Sequence, residues 1–156
     1  MPEATGKVYP VHDNVFKFGT KGLSSVDDDM VMPADMENFA PAIDGTTEEW
    51  YAMDAHGWAK SAMTGKKLTF SFKGKRTVGD KGNDYIASLA WKFGQDVMTK
   101  FEWVMKSGAK LACDVVVNVT TPGGGDTTNI DALEFEVTCY GEPTYTPAVA
   151  DRKSVV

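Results

Sequence analysis

Lys110 to Thr120 reads KLACDVVVNVT, and its alternation decides the fold. Leu111, Cys113, Val115, Val117 and Val119 fall on one side, and Ala112, Asp114, Val116 and Asn118 on the other. A period of two, rich in β-branched residues, belongs to a strand and not to a helix. Downstream, Leu133, Phe135, Val137 and Cys139 form a second inward row, while Glu134, Glu136, Thr138 and Tyr140 face the other way. Two glutamates on one sheet face imply water there. Upstream, Leu68, Phe70 and Phe72 oppose Thr69, Ser71 and Lys73 in the same fashion. Ser107-Gly108 predicts a hairpin turn between a strand at Lys100 to Lys106 and the strand from Lys110.

Further strands are shorter or interrupted. Val15 to Gly19 (VFKFG) alternates briefly, and NFAPAIDGTTEEW, ending at Trp50, reads as a strand whose Pro41 suits an edge or a bulge. One helix stands out, because Ile86, Leu89, Ala90 and Phe93 recur at i, i+3, i+4, i+7, with Asn83 as N-cap and Gly94 just past the end. Asp84, Ser88 and Lys92 on its opposite side predict that it lies on one face of the sheet. The fold class is therefore mainly β with one helix, a curled antiparallel sheet or small β-sandwich. The expected organisation is an N-terminal strand and extended arm over 1–36, a β domain over 37–142 with its helix at 83–93, and an extended tail over 143–156.

Between Trp50 and Lys66 the text YAMDAHGWAKSAMTG holds no period of 2 or 3.6, and it reads as a long, partly apolar loop. Such connections are uncommon in compact domains and are usually functional or mobile. If Tyr51, Met53, Trp58 and Met63 do not all fold back on their own sheet, they require another surface, and Trp, Tyr and Met are enriched in interface cores. Packing of the loop on its own sheet is the competing expectation.

At 156 residues, 42% hydrophobic and 24% charged, the chain suits one domain with a real core. Its net charge of −6 argues against tight phosphate-backbone binding, which needs clustered Lys and Arg. The opening MPEATGKVYP lacks the basic and apolar stretches of a secretory signal, and no apolar run reaches membrane-spanning length, so residence in a cytoplasm is expected. In that reducing compartment Cys113 and Cys139 are expected as buried free thiols, although their sulfurs approach if the two strands are neighbours, leaving a disulfide or reactive pair as the alternative.

Chemistry-bearing motifs are missing in sequence. GKRTVG (Gly74 to Gly79) has P-loop spacing, but Asp80 stands where the phosphate-binding Lys belongs. Gly123, Gly124 and Gly125 read as turn material with no helix behind them. His12 and His56 with two cysteines give no zinc spacing, Asp27 to Asp29 lack the ligand spacing of a calcium loop, and no G-x-S-x-G elbow accompanies Asp54 and His56. Asn118-Val119-Thr120 fits a glycosylation acceptor, a coincidence in a chain without a secretory signal. No catalytic residue, metal or cofactor is expected.

Several blocks in order carry a resemblance: IDGTTEEW (Ile43 to Trp50), Gly57-Trp58 followed by TGKKLTFSFKGKR, GDKGNDYIASLAW (Gly79 to Trp91), VVNVTTPGGGDTTNIDALEFEV (Val116 to Val137) and GEPTYTP. Together they resemble the major tail tube proteins of long-tailed phages and prophages, over roughly 37–147. The resemblance implies a β-sandwich with one flanking helix, hexameric rings stacked into a hollow tube through which DNA passes without specific binding, and no membrane. It also implies tail-tip or initiator, tape measure and tail terminator proteins as partners, with assembly in the host cytoplasm and residence in the virion tail. Under it, the segment from Asp44 to Lys66 contacts neighbouring subunits, with Trp50, Tyr51, Met53, His56, Trp58 and Met63 as contact residues. Six copies at −6 place roughly −36 on one ring, a sign that disfavours adsorption of DNA. Glu48, Glu49, Asp126, Glu134 and Glu136 are the candidate lumen acids, each weighed against simple solubility. The alternatives are the tube of a contractile tail or a phage-tail-like bacteriocin, and a β-sandwich module that binds carbohydrate or a host surface through Trp50, Tyr51 and Trp58.

Overall fold

The alternating rows predicted from sequence become one curled antiparallel sheet in the computed structural model, which describes residues 6–148. Its strands are β1 (Val15–Gly19), β2 (Met30–Val31), β3 (Met36–Tyr51), β4 (Ala59–Lys75), β5 (Met98–Val104), β6 (Lys110–Thr121), β7 (Ala132–Cys139) and β8 (Thr144–Thr146), and α1 (Lys81–Ser88) lies between β4 and β5. The order across the sheet is β2-β1-β5-β6-β7-β4-β3. β8 pairs with β6 at Leu111↔Tyr145, further along the edge on which β7 pairs at Val115↔Cys139. Pro41 sits on β3, the terminal strand of this path, where a missing N–H is tolerated.

The curl is visible in the aromatic contacts. Three strands separate β1 from β4 in the order, yet the rings of Phe16 and Phe72 lie 4.7 Å apart, and Phe16 also stacks on Phe39 of β3 at 5.1 Å. Phe18 meets Phe135 of β7 edge-on at 5.7 Å. The inward faces of the two ends of the sheet therefore share one core, in which Phe18, Phe70, Phe72, Phe101, Phe135, Leu133, Val115, Val117 and Val137 are buried. Offset and edge-to-face ring pairs of this kind add to the area that each ring buries. The path still ends at β2 and β3 without joining, so the sheet is unclosed.

The helix is shorter than its sequence pattern. It runs from Lys81 to Ser88 and tightens into a 3-10 turn at Leu89–Trp91. Ile86 and Leu89 join the core as predicted, but Phe93 is exposed, because Gly94 at φ 70 turns the chain back through Gly94–Val97 into β5. The cap also differs. Asp80, and not Asn83, caps α1, its carboxylate accepting from the N–H groups of Asn83 (3.0 Å) and Ala34 (3.1 Å).

Asn83 is instead a buried hub. Its Nδ2 donates to the carbonyls of Ala34 (3.1 Å) and Lys75 (2.9 Å), and its Oδ1 accepts from Thr77 N–H (3.0 Å) and Arg76 Nη1 (2.9 Å). These bonds tie the start of β3, the end of β4 and the first turn of α1 together. Gly74 permits the same closeness, since a Cβ there would lie 2.6 Å from Met36 Cα. Arg76 also pairs with Asp84 at 2.8 Å. That contact, with an N–H from Gly79, holds the Asp84 carboxyl below its ordinary value near 3.8. No helix among the described residues is long and apolar enough to cross a membrane.

Candidate functional site

Beyond the core the sheet narrows to two strands. β7 accompanies β4 only from Lys75 to Thr69, whereas β3 and β4 stay paired from Met36↔Gly74 out to Tyr51↔Ala59. The segment from Asp44 to Lys66 is therefore a β-hairpin arm: the strand read up to Trp50 is borne out by β3, and the stretch from Trp50 to Lys66, read from sequence as a loop, is instead its turn and returning strand. The correction has a physical cause. A ribbon with both faces open has no covered side, so its residues need not alternate, and backbone pairing alone defines it. At the usual rise, Asp44 to Tyr51 carries the arm roughly 25 Å past the body.

Its tip is compact. Met53–Ala55 form a 3-10 turn, and His56 (φ 50) and Gly57 (φ 89) adopt left-handed backbone that reverses the chain into β4. Lys60 Nζ pairs with Asp54 at 3.1 Å across the turn, so the Asp54 carboxylate is engaged by a lysine and not by His56. The other histidine, His12, lies beside Asp13 at 3.3 Å in a separate turn.

Register sorts the arm's side chains. Glu49, Tyr51, Ser61 and Met63 share the face that continues from the core, and Glu48, Trp50, Lys60 and Ala62 share the other. An irregularity at Thr46/Thr47 keeps Met63 on the first of these, where its Cε lies 2.7 Å from the place a Cβ on Gly45 would take. Of the predicted contact residues, Met53 is 96% exposed, Trp58 79%, Tyr51 71%, Met63 56% and Trp50 44%. The competing expectation, that this segment packs on its own sheet, fails on those values. His56 lies in the turn at the tip beside Met53, while Trp50, Tyr51 and Met63 lie along the ladder behind it.

At the base of the arm the open side of the curl leaves an apolar groove of about 650 Å³, lined by Ile43, Leu68, Leu111, Cys139, Pro143 and Tyr145, with Lys66 and Lys67 also against it. A neighbouring hollow of about 510 Å³ adds Pro41, Trp103 and Met105. Sequence reading places Leu68 and Leu111 in core rows and does not find the groove, which exists because β8 and not β7 borders this part of β6. A second exposed aromatic pair, Trp91 and Phe93, follows α1.

The five acids do not form one patch. Glu134 and Glu136 share the outer face of β7, with Glu134 opposite Lys73 and Glu136 opposite Ser71 and Asn118. Glu48 and Glu49 lie on opposite faces of the arm. Asp126 belongs to the turn before β7, where its carbonyl accepts from Asn129 N–H at 2.9 Å and Gly124 N–H donates to the Asp131 carboxylate at 3.0 Å.

No protein-family model matches the chain, and no curated protein matches it in sequence. Solved structures do match in shape. A chain from the tail of an empty gene transfer agent particle, determined with C6 symmetry, superposes with a TM-score of 0.70 at 10% identity, covering 90% of this chain and 100% of that one. The SPP1 tail tube gives 0.64 at 10% identity over 96% and 86%. A chain of the anti-feeding prophage cap, which terminates a tube, gives 0.59 at 11% over 92% and 94%. The chain thus has the fold of these tail proteins, a curled β-sheet with one helix.

Proposed function

We propose that this chain is a structural subunit of a phage tail tube, assembling as hexameric rings that stack into a hollow conduit for DNA, with the arm as its contact segment. The observation that carries the proposal is the arm itself, a two-stranded ribbon holding five large, exposed apolar side chains. A two-stranded hairpin is marginal in water on its own, and contiguous exposed apolar surface marks an interaction site. Trp50, Tyr51, Met53, Trp58 and Met63 are of the types that fill interface cores, and His56 sets the turn that presents them. The fold likeness to tail proteins, one of them in a C6-symmetric tail, supports rings of six.

The role is mechanical and not catalytic. Glu134 and Glu136, on one outer sheet face, are the acids best placed to line a lumen, because a sheet face presents them side by side to the same solvent. Lys73 opposite Glu134 offsets part of that charge locally. Assembly takes place in the host cytoplasm, and the tube resides in the virion tail with tip, tape measure and terminator proteins at its ends and interior.

Negative-stain electron microscopy of the purified full chain, at rising concentration and with a tail-tip initiator, tests the reading. Hollow tubes of uniform width with sixfold end-on views are expected. A monomer that stays dispersed under both conditions, and binds glycans through Trp50, Tyr51 and Trp58, would replace the tube by the carbohydrate-binding module.

A further inference from the structure

The two cysteines of the chain are brought together by topology. Cys113 is on β6 and Cys139 closes β7, and because Cys139 is the Cα partner of Val115, Cys113 stands diagonally from it on the same face. Their Sγ atoms lie 2.8 Å apart. The Tyr140 N–H donates to Asp114 O at 2.8 Å and holds the end of β7 against β6 at this level. Both thiols are half-buried, and Cys139 lines the groove at the base of the arm, so a small molecule has a route to it. Either sulfur can donate the S–H between them, and that contact raises Cys113 and lowers Cys139, so Cys139, which also lines the groove, is the readier thiolate.

We propose that Cys113 and Cys139 form an oxidation site that closes to an intramolecular disulfide by exchange with a small-molecule disulfide, covalently joining β6 to β7. The Cys139 thiolate attacks one sulfur of the reagent, breaking its S–S bond and releasing one thiolate, which takes up a proton. Cys113 then loses its proton and attacks the Cys139 sulfur of the mixed disulfide, expelling the second thiolate. One S–S bond forms and one breaks, and two electrons pass from the protein to the reagent. The product encloses the whole turn between β6 and β7, with the two cysteines 26 positions apart. The bridge forms with small movement, because the sulfurs already touch, and it restricts the unfolded chain more than the folded one. Closure is independent of whether the chain builds tubes.

The test uses the full chain as purified under reductant and then exposed to oxidised glutathione. Intact mass should fall by two hydrogen atoms, both thiols should resist alkylation, and the melting temperature should rise by about 5–10 °C, reversing on reduction. Cys113→Ser should instead keep one glutathione on Cys139. Two thiols still open to alkylation, glutathione on both cysteines, a chain-to-chain disulfide, or an unmodified Cys139 in the serine variant would each overturn the proposal.

Discussion

The body of the sheet and the arm are made from the same two strands, β3 and β4, and differ only in what covers them. At Phe72 and Phe39 the pair faces β1 and the Phe16 ring, and Phe72 is wholly buried. At Trp50 and Lys60, further along the same ladder, both residues are exposed and no third strand flanks the pair. Hydrogen bonding is continuous across the two regions, so backbone pairing does not distinguish them. The difference shows that strand pairing fixes where the arm points, while apolar cover fixes where the stability of the monomer resides. A chain built this way folds on one region and, under the proposed function, leaves the other for association.

Substitutions that act on one region alone break or sharpen the contrast. Phe72→Ala should lower the unfolding free energy of the monomer by about 3–5 kcal/mol, seen by chemical denaturation, because it opens a cavity among six packed rings. An unchanged midpoint would place the core elsewhere. Asn83→Ala should lower it by about 2–3 kcal/mol, since the carbonyls of Ala34 and Lys75 and the N–H of Thr77 lose a partner at a fully buried site. Retained stability would show those groups finding other partners.

Trp58→Ala should leave monomer stability within about 0.5 kcal/mol, as at exposed positions generally, while weakening association by about 2 kcal/mol or more. Sedimentation beside thermal melts separates the two effects, and equal losses in both would erase the distinction between arm and body. The smallest effect concerns acid. Asp84 has a folded-state pKa held down by Arg76 and Gly79, so its contribution is present above its unfolded value near 3.8 and is lost as pH falls through the folded one. Stability of Asp84→Asn should therefore sit slightly below that of the parent at neutral pH and converge on it at the acid end. Curves that stay parallel throughout would remove the ion pair from the account.

The same contrast explains what sequence made legible. Alternation exposes a strand only when one face is covered, which holds for Leu68 to Phe72, for β6 and for Leu133 to Cys139, and those rows pack as read. The terminal position of β3 was also legible, through Pro41. From Trp50 to Lys66 neither face is covered, so the residue types carry interface chemistry without strand periodicity, and the turn uses His56 in left-handed backbone in place of a Gly-led two-residue turn. Asn83 reads in sequence as the N-cap, a place that Asp80 takes, and its role as a hub was not legible because two of its partners, Ala34 and Lys75, come from segments remote from or outside that helix. The contact of Cys113 with Cys139 depends on β6 and β7 being neighbours, which the two alternating rows leave open. The extended tail expected over 143–156 is described to residue 148, where Thr144–Thr146 form β8, and its remainder lies outside the described residues.

Cryo-electron microscopy of the assembled particle tests the central claim most directly, by locating the residues from Asp44 to Lys66 in every copy. The account predicts a tube in which each arm lies against neighbouring copies, with Trp58, Met53 and Tyr51 removed from solvent. A tube held together by other surfaces, its arms projecting free into solvent, would contradict it.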